Sequence, residues 1–244
     1  MYTFAEKPLS FGQVISNGVR LWTGNYWQLL ILTLLAIVMG TLPHFVLPGL
    51  TIVSPQRLLS YLTANYGKLI LYLFLSLFIF EIIFYRFYTY ASGVKHSILG
   101  LIAYSLEKLP YILLGALLFL IVVSCGYVFI FVPGVFLTIA LSMLLPLILI
   151  DKLNPFAAFK HSFNITTPHW WHTFLVIFFP MIVFQLIAAG IDSTALRIWH
   201  TVNGPKPWEY YPLFSLVVNS IYYPLFSSIM VVLLHDLKLR AKDL

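Results

Sequence analysis

What this sequence lacks most is charge. Lys and Arg number 14 and Asp and Glu 8, together 9% of 244 residues, where a soluble globular domain carries about 25%. That shortage excludes an ordinary water-soluble domain and a solvated disordered tail. Cysteine occurs once, as Cys125, so neither an intramolecular disulfide nor a cysteine metal cluster can form. Catalytic signatures are missing too: no P-loop, no H-E-x-x-H, no G-x-S-x-G and no glycine-rich dinucleotide fingerprint. Glu6, Glu107, Asp151, Asp192, Glu209, Asp236 and Asp243 are scattered among connections and ends. Acid–base chemistry needs groups held together at a substrate. No enzyme activity, catalytic residue, cofactor or metal is therefore expected. The roughly ten-residue alternating segments of a membrane barrel are absent as well. Met1–Ser10 contains an acidic residue, and Pro8 precedes any apolar stretch, so no cleavable signal peptide is expected.

What is present is apolar. Hydrophobic residues make up 61% of the chain, in continuous runs. A helix crossing a hydrocarbon core of roughly 30 Å needs about 20 such residues. Six runs qualify: about Tyr26–Val46, Leu69–Tyr88, Tyr111–Phe131, Val135–Ile150, Trp171–Gly190 and Tyr211–Leu234. Val132-Pro133-Gly134 predicts a tight reversal between the third and fourth. Ser10–Trp22, Ser97–Leu109 and Asn154–Ile165 are short, partly amphipathic and each followed by a span, as helices lying in the interface would be. Asn154 can cap the last, with Pro155 at its first position. Ser54-Pro55 and Asp192–His200 open further short helices. The expected fold class is all-α: a polytopic membrane helix bundle forming one domain over residues 1–244. Its six transmembrane helices form three hairpins, each preceded by a short cytoplasmic interface helix.

Orientation follows from basic residues. Lys7, Arg20, Arg86, Lys95, Lys108, Lys152, Lys160, Lys238, Arg240 and Lys242 fall on one side. Arg57, Lys68, Arg197 and Lys206 fall on the other. Both termini are thus expected in the cytoplasm. The net charge of +6 then reflects topology and anionic lipid rather than nucleic acid.

The run from Leu106 to Phe178 carries a recognisable order of features. Leu109-Pro110 is followed by Pro133-Gly134, by Pro146, by P-x-x-A-x-x-x-S at Pro155, Ala158 and Ser162, and by Trp170-Trp171. With the N-terminal SFGQVISNGVRLWTGNYWQLL, this resembles the YciC-like bacterial inner-membrane proteins. It is also similar to the membrane domain fused to some glycerophosphodiester phosphodiesterases. The resemblance implies a bacterial inner-membrane location and a setting in glycerophospholipid metabolism. It implies no diesterase activity, since no hydrolase domain is present.

Several residues are candidates for function. Glu81 sits inside the second span, where a carboxylate costs several kcal/mol unless protonated, paired or hydrated. It reads as a proton or cation site, a headgroup contact, or an inward carboxyl bonded to its neighbours. Ser124, Ser142, Gln185, Asn219, Ser220 and the prolines of the later spans are either interhelical glue or the lining of a cavity. Glu81, Gln185 and Asn219 are the best lining candidates. Arg20, Lys95, Lys108, Lys152 and Lys160 are candidates for contact with anionic phospholipid. His169 and His172 flank two tryptophans at i, i+3 spacing. A metal site needs three or four ligands, so they read as part of an interfacial aromatic belt. Three roles are consistent with these features: lipid contact supporting envelope or phospholipid homeostasis, a small transporter using Glu81, or a subunit serving a membrane protein partner.

Overall fold

The computed structural model describes residues 4–24, 31, 34–38, 55–94, 97–129, 131–203 and 211–242. Among the described residues every regular element is a helix. In chain order these are α1 (Phe11–Thr23), α2 (Pro55–Ala64), α3 (Tyr66–Ala91), α4 (Ile98–Phe129), α5 (Phe131–Ala140), α6 (Leu144–Asp151), α7 (Pro155–Thr166), a 3-10 turn (Thr167–His169), α8 (Trp170–Asn203) and α9 (Tyr211–Arg240). Apart from residue 31 and residues 34–38, the expected first span lies outside the described set.

Among the described residues four segments are long and apolar enough to cross a membrane: Tyr66–Ala91, Ile98–Val128, Phe131–Asp151 and Pro155–Ile191. Each has at least 21 residues, where a span needs roughly 17–25. They are compatible with an integral membrane protein. Leu117 and Leu120 of α4 and Leu186 and Ile187 of α8 are exposed, as lipid-facing residues would be. The buried core is formed by the later part of α3 (Ile82–Phe84, Phe87), by α6 (Leu144, Leu147–Leu149) and by Ile229–Leu234 of α9, with Val14 and Leu21 of α1 packed in.

The expected boundaries shift in three places. Ser97–Leu109 is not a separate interface helix. After the Ser97 cap it is the first third of α4, which runs unbroken through Pro110 for 32 residues. Proline in an apolar helix is tolerated when neighbours satisfy the carbonyl it frees. Asp192–His200 likewise continues α8. The reversal at Pro133-Gly134 falls earlier, because α4 ends at Phe129 and both residues lie in the first turn of α5. Proline fits there, since a first turn needs no N–H donor. Gly134 serves packing instead: a Cβ on it would lie 2.5 Å from the Tyr127 ring.

The fourth span is interrupted at residues 141–143, between α5 and α6. Pro146 sits in the first turn of α6 and cannot donate to Ser142, so the helix restarts there.

A further change concerns α7. Asn154 caps it as expected, its side chain accepting from Ala157 N at 2.8 Å. One face of the helix is also packed against its neighbours. Pro155, Ala158, Ser162, Ile165 and Thr166 form its buried face. Small residues on that face allow close approach, and Ser162 Oγ donates to Ala140 O at 3.0 Å. The chain thus doubles back along α6. Trp170 Nε1 then donates to Phe136 O at 3.1 Å, which sets the start of α8 beside α5.

Candidate functional site

The best-satisfied polar cluster centres on Asp236, two residues beyond the apolar stretch of α9. It is fully buried. Its Oδ1 accepts from Leu9 N at 2.6 Å. Its Oδ2 accepts from His172 Nε2 at 3.0 Å and Arg240 Nε at 2.8 Å. Arg240 also donates to Leu9 O. Burial alone would push the carboxyl up, but the hydrogen bonds from His172, Leu9 and Arg240 outweigh it and hold the group below the usual carboxylate range. An ionised carboxylate only accepts, so the His172 proton facing it is on Nε2. Beside Asp236 in the chain, His235 Nε2 lies 2.8 Å from Ala5 O and its ring stacks on Phe4. Lys238 meets Asp151 at 2.6 Å. The segment before α1 is therefore fastened across the end of α9.

This cluster was only partly visible in the sequence. Asp236 and Arg240 stand at i, i+4, a readable helical pair. His172 reads as an aromatic-belt residue, and nothing local signals a carboxylate 64 positions away. Among the described residues no three His, Cys, Asp or Glu side chains group to hold a metal.

Glu81 is 3% exposed on α3, and neither carboxyl oxygen has a hydrogen-bond partner among the described residues. Gln185 is exposed on α8, and Asn219 lies on α9 where the side chain is outside the described set.

A cleft of about 740 Å³ opens between α5 and the start of α8. Phe131, Val132, Val135 and Phe136 form one wall, and Trp170 and Trp171 the other. Phe136 and Phe174 both stack on Trp170, at 5.9 and 5.2 Å between centroids. Thr167, His169 and His172 supply the polar part of the lining. His172 is thus shared between the cleft and Asp236, so the cleft's polar edge is braced by the charged cluster.

The five basic candidates are dispersed, with one exception. Arg20 is exposed on α1, Lys95 lies outside the described residues, and Lys160 borders a smaller hollow of about 400 Å³ with Asp151 and His161. Lys108 and Lys152 converge, their ammonium groups 5.8 and 6.0 Å from the centre of the Tyr104 ring. That ring is fixed twice. Its hydroxyl donates to Leu149 O at 2.7 Å, and Tyr85 stacks on it at 4.3 Å.

No family model, no curated protein and no solved structure matches this chain.

Proposed function

We propose that this chain is a non-enzymatic integral membrane protein that holds a membrane lipid between α5 and α8, and that it supports envelope or phospholipid homeostasis in the bacterial inner membrane. The cleft carries this reading. Its volume of about 740 Å³ falls in the range of roughly 300–1,000 Å³ usual for small-molecule sites. Its walls are aromatic and branched-aliphatic, suited to acyl chain, and its imidazoles offer a polar end for a headgroup. The resemblance to membrane domains fused to phosphodiesterases agrees with a lipid setting, although it is association and not mechanism. The excess of basic residues near the termini favours a cytoplasmic placement for both ends. A transporter built on Glu81 is less well supported, because Gln185, the other lining candidate whose side chain is described, is exposed on α8.

The test is native mass spectrometry of the chain released from its own membrane in mild detergent. Wild type should retain lipid at a fixed ratio. Val135→Trp, which fills the cleft from its wall, should lose most of that lipid while unfolding at a similar temperature. Equal retention by the variant, or a bare wild-type chain, would remove the cleft as the site. A protein released at fixed stoichiometry in place of lipid would make the chain a subunit.

A further inference from the structure

Lys108 and Lys152 meet at the opposite end of the α5–α6 pair from the cleft. Tyr85 stacks on the Tyr104 ring, and both ammonium groups lie within about 6 Å of that ring's centre. Like charges brought together in this way repel unless a counter-charge is near. Glu107 supplies one negative charge, bonded to Lys108 Nζ at 2.8 Å with its side chain 68% exposed. Asp151, the neighbour of Lys152, is already held by Lys238 at 2.6 Å. The group at Tyr104 therefore keeps one positive charge in excess. Lys108 is only 16% exposed and lies between the Tyr104 and Tyr111 rings, so its ammonium is partly shielded from water.

Lys152 adds a second observation. Its backbone is left-handed, with φ 56° and ψ 28°, at the end of α6. It is the one non-glycine with positive φ among the described residues. Helices commonly end with glycine in this conformation, because a Cβ is disfavoured there. A lysine at this position brings its ammonium over Tyr104 despite a conformation that favours glycine.

We infer that Lys108, Lys152 and Tyr104 form a binding site for a singly charged phosphodiester, whose one negative charge balances the excess. Two sources share that chemistry: the headgroup of an anionic phospholipid and a phosphate ester free in solution. The site is separate from the cleft and does not depend on it.

The test uses the full chain in mild detergent with equal amounts of phosphatidylglycerol and phosphatidylcholine. Both carry the phosphodiester, but only the first has net charge. Wild type should bind phosphatidylglycerol in preference. Lys152→Gly and Lys108→Gln should each lower the ratio by about five-fold, the weight of one basic residue near an anionic headgroup. Lys152→Gly relieves the backbone, so it should unfold no earlier than wild type, and its loss of preference cannot be a loss of fold. Displacement by inorganic phosphate assigns the site to a free phosphate ester, and a preference that survives inorganic phosphate assigns it to lipid. No preference in wild type, or an unchanged ratio in both variants, overturns the inference. In a Val135→Trp background, where the cleft is filled, Lys152→Gly and Lys108→Gln should still lower the preference for phosphatidylglycerol, which keeps failure of the cleft apart from failure here.

Discussion

Asp236 has no exposed surface, and three donors on two helices and the N-terminal segment still keep it ionised. Its folded pKa lies below the unfolded value of 3.8. Its contribution to stability is therefore fully present above about pH 4 and is lost as the pH falls through the lower, folded value. Removing the carboxylate would strand Arg240 and His172 at once. Asp236→Ala should cost about 3 kcal/mol at neutral pH, and that penalty should shrink as the pH is lowered through 3.8 toward the folded pKa. Thermal melts of wild type and variant at several pH values measure it; a penalty independent of pH would mean that lost packing, not lost charge, is the cause. The i, i+4 relation to Arg240 was legible beforehand. The tie to His172 was not, because local sequence carries no record of which distant helix returns to it. Glu81 is the converse case: its oddity was plain in the sequence, and the structure adds its burial and, among the described residues, the lack of a hydrogen-bond partner for either carboxyl oxygen.

At the level of elements, the short amphipathic segments were the most legible and their partners the least. The spacing of Phe11, Val14 and Ile15 marks α1 as a helix, and the structure confirms Phe11–Thr23, with Gln13 accepting from Ser10 N at 2.8 Å. The same pattern suits a membrane surface or another helix equally well. Here the face meets α9. Ser228 Oγ donates to Gly18 O at 2.9 Å, and a Cβ on Gly18 would stand 2.9 Å from Ile229 Cα. Backbone lies against backbone, so neither side can yield by changing a rotamer. Gly18→Ala should accordingly destabilise the protein by about 1–3 kcal/mol, read as an earlier melt. An unchanged melt would show that α1 can slide on α9. The P-x-x-A-x-x-x-S pattern of α7 has a related explanation, since Ala158 and Ser162 are the small residues that let it fold back along α6. Pro110, Pro180 and Pro224 are each carried inside a continuous helix.

Across the whole molecule, composition pointed to a helical membrane protein, and the four long apolar helices among the described residues are compatible with one. The arrangement of the helices was not accessible in the same way. Hydropathy finds apolar runs but does not say which faces touch, and so it set Trp170 and Phe136 far apart when they are hydrogen-bonded. The uneven distribution of buried and exposed apolar residues gives a direct test. A lipophilic carbene reagent generated in the bilayer should label Leu117, Leu120, Leu186 and Ile187 and spare Leu144, Leu147 and Ile148. Protection of the first set would mean that another chain covers those faces.

The pairing of α1 with α9 also has a consequence in time. Gly18 and Ser228 are 210 positions apart, and a ribosome adds about 5–20 residues per second. The first helix made must wait roughly 10–40 s for the helix that covers it. Until then Val14, Gly18 and Leu21 face outward. A chain that stalls late in synthesis keeps that stripe uncovered, a mark by which a protease or chaperone could tell the unfinished product from the finished one.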